Sequence, residues 1–279
     1  MKKGLVTIVI PGWNSGKRLP ACLESIKNQS YNSIEVLIID NFSKDETKTV
    51  AKKYKAKVYD YDPKLPKGVF DATYRRNYGA KKASGEYVYY LDDDMRLTQD
   101  VVKEAVEQCK KGADAVILPE ESFGEGIWAE AKWLERRCYQ GDDTVEAPRF
   151  FKKAVWDALG GLDTTVGGGG DDWDMYQKLL QKGYKVARTK SLVMHDEGNL
   201  ELYKLLRKRF MYGRDSLRYI KKRPGVATQS YFPIRMAYIR NWKFLLSHPI
   251  ITTRFIIMRT GEYGAGALGI LYSFIKKHD

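Results

Sequence analysis

The alternation of strand and helix signals in the first 118 residues constrains the fold more than any other feature of the chain. Short apolar runs rich in β-branched residues alternate with stretches whose apolar residues recur at helical spacing. Strands joined by helices imply a mostly parallel sheet covered on both faces, with ligands bound outside the carboxyl ends of the strands. We therefore predict an α/β fold whose first strands are Leu5–Ile10, Ile34–Ile39, Ala56–Tyr59, Glu86–Leu91 and Ala113–Leu118.

Three consecutive carboxylates, Asp92, Asp93 and Asp94, directly follow the predicted strand Glu86–Leu91. Adjacent carboxylates repel one another unless a cation lies between them, and a hard divalent ion bound to a diphosphate meets that need. Alternate residues of an extended chain point to opposite sides, so Asp92 and Asp94 are expected to face one site while Asp93 turns away. The alternative interpretation is a solvated acidic turn.

A second acidic cluster follows four glycines, Gly167–Gly170. It consists of Asp171, Asp172 and Asp174, with Trp173 between the last two. A helical pattern starts at Asp171 and ends before Gly183, which is suited to terminate a helix. Carboxylates at a helix N-terminus are favoured by the helix dipole, so simple capping is one interpretation. We predict that both roles hold: one carboxylate caps the helix, and Asp172 faces an acceptor.

Four segments together resemble one known family. They read VTIVIPGWN, IEVLIIDNFSKDET, RRNYGAKKASGEYVYYLDDDM and GGLDTTVGGGGDDWDM, and they occur in the family's order and spacing between about residues 5 and 196. The chain resembles the inverting family 2 glycosyltransferases with the GT-A fold, and its C-terminal part is similar to membrane-associated members that build lipid-linked or surface glycans. The acidic triplet resembles the family's DxD motif.

The resemblance implies a binding site for a nucleoside-diphosphate sugar. Asp40 would hydrogen-bond the base, Arg76 would lie near the diphosphate, and Asp92 would contact the ribose side. An alternative role for Asp40 is to cap the next helix, but Ser43 and Glu46 form a predicted capping box that leaves Asp40 available. The expected donor-binding residues are Pro11, Trp13, Asn14, Asp40, Arg76, Asn77, Asp92 and Asp93.

The resemblance also implies a divalent metal, Mn²⁺ or Mg²⁺, and a general base. Asp94 would bind the metal, and His195 is a candidate for a further ligand, although a lone histidine is as often structural. Asp172 would be the catalytic base. The family usually has Glu-Asp where this chain has Asp171-Asp172, so the choice between these two carboxylates stays open.

The net positive charge concentrates in the last quarter of the chain, where few acidic residues balance the basic ones. Residues 201–279 contain 16 Lys and Arg against 4 Asp and Glu, which accounts for +12 of the net charge of +13. Residues 199–223 have the pattern of a basic amphipathic helix, which predicts contact with an anionic membrane surface. Candidate contacts to an acceptor or a lipid phosphate are Asp171, Trp173, Arg207, Lys208 and Arg209. The alternative is a solvated helical appendage, and no nucleic-acid-binding signature accompanies the charge.

The resemblance implies an inverting, metal-dependent enzyme that moves a hexose from GDP-mannose or a UDP-sugar to a hydroxyl of a lipid-linked or membrane-held acceptor. Residues 1–198 would form the catalytic domain, with a nucleotide half at about 1–97 and an acceptor half at about 98–198, and residues 199–279 a helical membrane-surface region. Three dispersed cysteines favour a cytoplasmic location. The basic C-terminal part predicts that the protein is peripheral on the cytoplasmic face of the cell membrane. Two alternatives remain: transfer to a polyprenyl phosphate itself, and a non-catalytic nucleotide-sugar-binding membrane scaffold.

Overall fold

The computed structural model describes residues 1–65, 71–166, 170–222 and 235–275. The chain divides into two compact units, and both are assembled from several segments. The first unit contains residues 1–119, 147–164 and 175–195, and the second contains residues 120–146, 165–174 and 196–279. The last segment of the second unit begins at residue 196, close to the boundary at residue 199 predicted from the sequence. The second unit also includes two earlier segments that this boundary had assigned to the catalytic domain.

The first unit is built on a seven-stranded sheet in the order β3-β2-β1-β4-β8-β6-β9. Strands β1, β2, β3 and β4 run parallel to one another, and β6 runs parallel to β9. Strand β8 lies between β4 and β6 and is antiparallel to both. The strands are β1 (Lys2–Gly12), β2 (Ile34–Asp40), β3 (Lys57–Asp60), β4 (Gly85–Tyr90), β6 (Ala115–Ile117), β8 (Phe150–Lys152) and β9 (Val186–Arg188).

Helices cover this sheet on both faces. Successive β1 residues alternate between two apolar clusters: Ile8 and Ile10 belong to one, and Val9 belongs to the other. This alternation follows from the pleat of the strand, and it confirms the predicted α/β class with a mostly parallel sheet. The helices are α1 (Leu19–Lys27), α2 (Thr47–Lys53), α3 (Ala72–Lys82), α4 (Val101–Lys110) and α6 (Lys153–Ala158), and α7 (Asp171–Gln181) contributes its residues from Met175 onward.

The strand that directly follows the acidic triplet pairs with a strand outside the seven-stranded sheet. β5 (Met95–Leu97) pairs antiparallel with the first three residues of β10 (Val193–Asn199), and this register places His195 opposite Met95. Gly183 has a φ of 74° just after α7, so the predicted helix-terminating role is confirmed.

The second unit is mainly helical. Its core contains Leu134, Leu205 and Met258, which come from three different helices. The elements are β7 (Glu120–Glu125), α5 (Ile127–Tyr139), α8 (Leu202–Lys222), α9 (Met236–Arg240), α10 (Trp242–Leu246) and α11 (Pro249–Ile275). Within the described residues, no helix combines the length and apolarity needed to cross a membrane.

Candidate functional site

The predicted donor-binding residues gather where the central parallel strands end. Gly12 at the end of β1 lies opposite Asp40 at the end of β2, and the backbone of Leu91, just after β4, donates to the carbonyl of Val9. Because parallel strands place their carboxyl ends at one edge, the loops that carry Asn14, Asp40 and the acidic triplet share this edge of the sheet.

Asp40 is fully buried and holds the loop that follows β2. Its carboxylate accepts a hydrogen bond from the backbone of Ser43 at 2.8 Å and another from the Ser43 hydroxyl, and Lys48 Nζ lies 3.7 Å away. Helix α2 begins at Thr47 with no side-chain capping bond. The predicted Ser43–Glu46 capping box is therefore wrong, because the Ser43 hydroxyl bonds to Asp40 instead.

Asn14 joins the β1 loop to the same turn. Its backbone donates to Ser43 Oγ at 2.8 Å, and its side-chain oxygen accepts from the backbone of Lys44 at 3.0 Å. Asn14 has a φ of 49°, a conformation that asparagine tolerates better than most residues. Trp13 is 61% exposed, so its ring is available to stack on a planar group, while Pro11 is buried in β1.

The sequence analysis missed Arg75, which organises this edge from α3. Its guanidinium donates to the carbonyl of Gly12 at 2.5 Å and pairs with Asp71 at 2.6 Å. Asp71 in turn accepts from the side chain of Asn41, 3.0 Å away. The adjacent arginines of α3 were a signal for this role, but helical spacing alone does not say which of the two points at the β1 loop.

Asp92 lies between two arginines. Arg76 Nη2 is 2.7 Å from Oδ1, Arg149 Nη1 is 3.0 Å from Oδ2, and both guanidinium groups lie over the ring of Tyr90. Burial opposes ionisation of Asp92, but the two arginines outweigh it and hold the pKa of this carboxyl below its ordinary value. Arg149 was also missed, because it lies just before β8, in a segment without a periodic pattern.

Asp93 bonds in another direction. Its carboxylate accepts a hydrogen bond from Arg18 at 3.0 Å, and the Ser15 side chain contributes a further one. Burial raises the pKa of Asp93 despite these bonds. Asp93 therefore links the acidic triplet to the beginning of α1, rather than sharing partners with Asp92.

Asp94 and His195 come together through the pairing of β5 with β10. His195 Nε2 lies 3.7 Å from Asp94 Oδ2, and Asp94 Oδ1 is buried without a hydrogen-bond partner among the residues that the structure describes. An imidazole and a carboxylate oxygen still in need of a partner suit Mn²⁺ or Mg²⁺ with further oxygen ligands. In the described part of the chain, no group of three or more His, Cys, Asp and Glu is arranged for a metal.

Asn77 is held by the chain that follows α6. Both ends of its amide bond to Leu162: Nδ2 donates to the carbonyl at 2.8 Å, and Oδ1 accepts from the backbone N–H at 3.0 Å. The neighbouring Gly161 approaches so closely that an added Cβ would lie 2.7 Å from Asn77 Oδ1. Asn77 therefore ties α3 to the chain that follows α6, and its role in donor binding stays a prediction.

The predicted acceptor residues lie at the start of α7, in the second unit. Asp171 is buried, Asp172 is half-buried, and Trp173 Nε1 donates to the carbonyl of Val145 at 2.9 Å. Asp174 is fully buried and pairs with Lys222, 2.9 Å away. Asp174 thus joins the start of α7 to α8 through a buried ion pair. Of the four glycines before α7, Gly167–Gly169 lie outside the described residues.

The three basic residues proposed from sequence to bind a lipid phosphate differ in their surroundings. Arg207 and Lys208 are exposed on α8. The side chain of Arg209 is 37% exposed, and its Nε lies 2.8 Å from Glu262 on α11. Arg209 thus takes part in an ion pair with a buried carboxylate, whereas Arg207 and Lys208 are exposed.

A sequence profile described as "Glycosyl transferase family 2" matches residues 7–161, which is more than half of the chain. A curated relative, the poly(ribitol-phosphate) beta-N-acetylglucosaminyltransferase TarP of Staphylococcus aureus, is 30% identical over 173 residues, or 56% of this chain and 51% of the relative. A beta-1,3-glucosyltransferase of Campylobacter jejuni, named for GalNAc(5)-diNAcBac-PP-undecaprenol, is 24% identical over 54% of this chain and 52% of its own length. The chain spans about half the length of these relatives.

Solved structures share the fold. The mannosyltransferase PcManGT of Pyrobaculum calidifontis, in complex with GDP-Man and Mn²⁺, has a TM-score of 0.64 at 18% identity, covering 96% of this chain and 87% of that chain. TarS of S. aureus in complex with UDP has a TM-score of 0.54 at 14% identity, covering 98% and 92%. At these identities the likeness establishes the fold alone, and the predicted GT-A fold is confirmed.

Proposed function

The chain belongs to glycosyl transferase family 2, and from this premise we propose that it is an inverting, metal-dependent hexosyltransferase that uses a nucleoside-diphosphate sugar. The proposed donor is GDP-mannose or a UDP-sugar, and the proposed acceptor is a hydroxyl of a lipid-linked or membrane-held glycan. The observation that carries the proposal is the edge of the sheet where Asp92 pairs with two arginines and Asp94 keeps a buried oxygen without a described partner.

The charges at this edge suit a departing diphosphate. Breaking the bond between the anomeric carbon and the phosphate oxygen leaves negative charge on the diphosphate, and preorganised cations stabilise such charge. Arg76 and Arg149 hold Asp92 ionised and bring two positive charges to one carboxylate. Asp94 and His195 would hold a divalent ion, which supplies Lewis-acid stabilisation of the leaving group.

The donor's base and the acceptor's hydroxyl would be handled by other residues. Trp13 and the Asp40 turn are proposed to receive the nucleoside, because they lie at the ends of β1 and β2 beside the acidic triplet. Asp172 is proposed as the general base that removes the proton from the acceptor hydroxyl while the oxygen attacks the anomeric carbon. Attack opposite the leaving diphosphate inverts the anomeric centre.

The membrane-held acceptor and the location peripheral to the cytoplasmic face of the membrane are proposals as well. The charge of the chain beyond residue 200 favours an anionic surface. The printed name of the Campylobacter relative includes an undecaprenol-linked glycan, and that of TarP a poly(ribitol-phosphate). These names support an acceptor that carries phosphate and is held at or near a membrane.

The test is a nucleotide-release assay with GDP-mannose, UDP-glucose and UDP-N-acetylglucosamine, with a lipid-linked glycan acceptor and either Mn²⁺ or a chelator. We expect one donor to turn over, and only with the metal. Asp172→Asn should lower the rate at least about a hundredfold, because a hydroxyl acceptor needs a base. The matched control is Glu125→Gln, an exposed carboxylate of the same unit, which should leave the rate unchanged.

The other outcomes separate the alternatives. Full activity of Asp172→Asn with a polyprenyl phosphate as acceptor would identify the lipid phosphate as the nucleophile, since it is already ionised. Donor binding without product in the presence of all acceptors would indicate the non-catalytic scaffold. Turnover that persists in the chelator would overturn the metal-dependent mechanism.

A further inference from the structure

The outward face of α11 carries no charge. The positions of Pro249–Ile275 that are exposed hold only apolar or small uncharged side chains. The large ones include Ile250, Ile256, Ile257, Leu268, Leu271 and Phe274, which are 49% to 67% exposed. At 1.5 Å per residue, this helix presents an uncharged surface about 40 Å long, which is unusual for a helix that faces water.

Two of the three charged residues of α11 are buried, and the third lies at the margin of the exposed face. Arg259 and Glu262 are the buried ones, whereas the side chain of Arg254 is 32% exposed and pairs with Glu130. Glu262 accepts from Arg259 at 2.6 Å and from Lys132 at 3.1 Å, so charges from two helices meet inside the bundle. Each charge of α11 is therefore paired, and the exposed positions are left to uncharged side chains.

Close packing against α8 uses the inner side of α11. A Cβ added at Gly269 would lie 2.1 Å from the carbonyl of Phe210, and one added at Gly213 would lie 2.1 Å from the carbonyl of Gly266. The backbones of the two helices thus approach as closely as glycine allows. The large aliphatic residues are excluded from this contact and remain on the outer surface.

Charge and shape favour a lipid surface over a second copy of the chain. Residues 201–279 carry a net charge of +12, and Lys204, Arg207, Lys208, Arg240 and Lys243 are exposed. Two such surfaces repel each other, whereas anionic headgroups attract basic residues by about 1 kcal/mol each near the surface. A single convex helix with an uncharged face also suits the boundary between headgroups and acyl chains, where apolar side chains need no complementary pocket.

We propose that α11 lies in the plane of an anionic membrane, with its uncharged face inserted among the lipids. The inserting element is then α11, and the basic helix α8 contributes charge. This inference rests on the proposed function for its purpose, because a membrane-held acceptor gives the contact its use. Its physical support, however, is the burial pattern of α11 and the charge of residues 201–279.

The test is vesicle flotation of the full chain with vesicles of phosphatidylcholine alone or with 30% phosphatidylglycerol. Wild-type protein should partition into the anionic vesicles at least about tenfold more strongly than into the neutral ones. The double variant Ile257→Glu, Leu268→Glu should lose at least about tenfold of that partitioning, because it places two carboxylates on the inserted face. Both positions are exposed, so circular dichroism and the melting temperature should stay those of the wild type.

The matched control is Leu180→Glu, an equally drastic change at an exposed leucine of α7 in the first unit, which should partition like the wild type. Equal partitioning of the double variant and the wild type would overturn the proposal. The proposal would also be overturned if the wild-type chain did not bind vesicles. In that case sedimentation would show either a monomer or a dimer, and a dimer that the double substitution dissociates would identify a second copy as the occupant of this face. Failure of the proposed function is separate, since it would appear as absent donor turnover in solution with partitioning intact.

Discussion

Each of the two units contains a cluster of cationic and carboxylate side chains, and the two clusters differ in how much of them a ligand could reach. The strand-end cluster consists of Asp92, Asp93 and Asp94 with Arg18, Arg76 and Arg149. The helical charge network consists of Glu135 and Glu262 with Lys132, Arg209 and Arg259. Each group contains three cations, and each holds a carboxylate between two of them at 2.6 to 3.1 Å.

The difference lies in what remains accessible. The side chains of Glu135 and Glu262 are 4% and 1% exposed, and every carboxylate oxygen of the pair has a cation within 3.2 Å. The side chains of Asp92 and Asp94 are 26% and 25% exposed, and one oxygen of Asp94 has no described donor. A closed network stabilises a fold, whereas an open one retains the capacity to bind a ligand.

The largest effect should come from the open cluster. Asp94→Asn should lower turnover at least about a thousandfold, because it removes the charged ligand of the proposed metal. The melting temperature should not fall, since Asp94 makes few protein contacts. Asp157→Asn is the matched control and should retain most activity, because Asp157 lies on α6, is 51% exposed and pairs with Lys153. Steady-state kinetics of the two variants would contradict this view if Asp157→Asn were the more damaging change.

A substitution in the closed network should lower the free energy of unfolding. Glu262→Ala leaves Lys132, Arg209 and Arg259 with one carboxylate fewer in a buried site, and breaking a buried ion pair costs about 3 to 5 kcal/mol. Chemical denaturation measures this loss. Glu201→Ala, at an exposed pair with Lys204, should cost less than about 1 kcal/mol. Similar losses in the two variants would show that the network contributes nothing beyond surface pairs.

A smaller effect is expected at Arg149. Arg149→Ala removes one of the two cations that hold Asp92, so the apparent affinity for nucleoside diphosphate should fall about tenfold. Arg137→Ala provides the control, because Arg137 is 41% exposed and pairs with Glu121. Calorimetric titration with the nucleotide distinguishes the two, and equal affinities would remove Arg149 from the donor site.

The smallest effect concerns acid stability. The neighbouring cations lower the pKa of Glu262 to about 2 against burial, which opposes ionisation. A lowered folded-state pKa stabilises the protein above the ordinary value of 4.5, and that stabilisation disappears as the pH falls from 4.5 towards 2. We expect a loss of about 1 kcal/mol per pH unit in this range. Denaturation of the wild type and Glu262→Gln at pH 5 and pH 3.5 should show a shallower pH slope for the variant.

Much of the first unit could be predicted from sequence because its strands bury both faces. The runs in β1 and β2 are mostly apolar, and Asp40 marks the end of β2. The family segments located the acidic triplet, Asp40 and His195. Arg75 and Arg149 escaped because their roles depend on which way an arginine points, and that is decided by packing across distant segments.

The second unit was harder to predict. Arg254 and Arg259 stand in an otherwise apolar stretch of sequence, and the fold pairs them with Glu130 and Glu135. Helical periodicity cannot show these pairs, because the partners lie more than a hundred residues away. The capping box failed for a local reason, since Asp40, only three residues away, competes for the Ser43 hydroxyl.

The central claim is that the strand-end carboxylates are arranged for a cation and a diphosphate together. Isothermal titration calorimetry of wild-type protein and Asp94→Asn with GDP or UDP, with and without Mn²⁺, tests it most directly. We predict that Mn²⁺ strengthens binding of one nucleotide at least about tenfold in the wild type and leaves Asp94→Asn unchanged. Equal affinities with and without Mn²⁺, or the same gain in Asp94→Asn, would contradict the account.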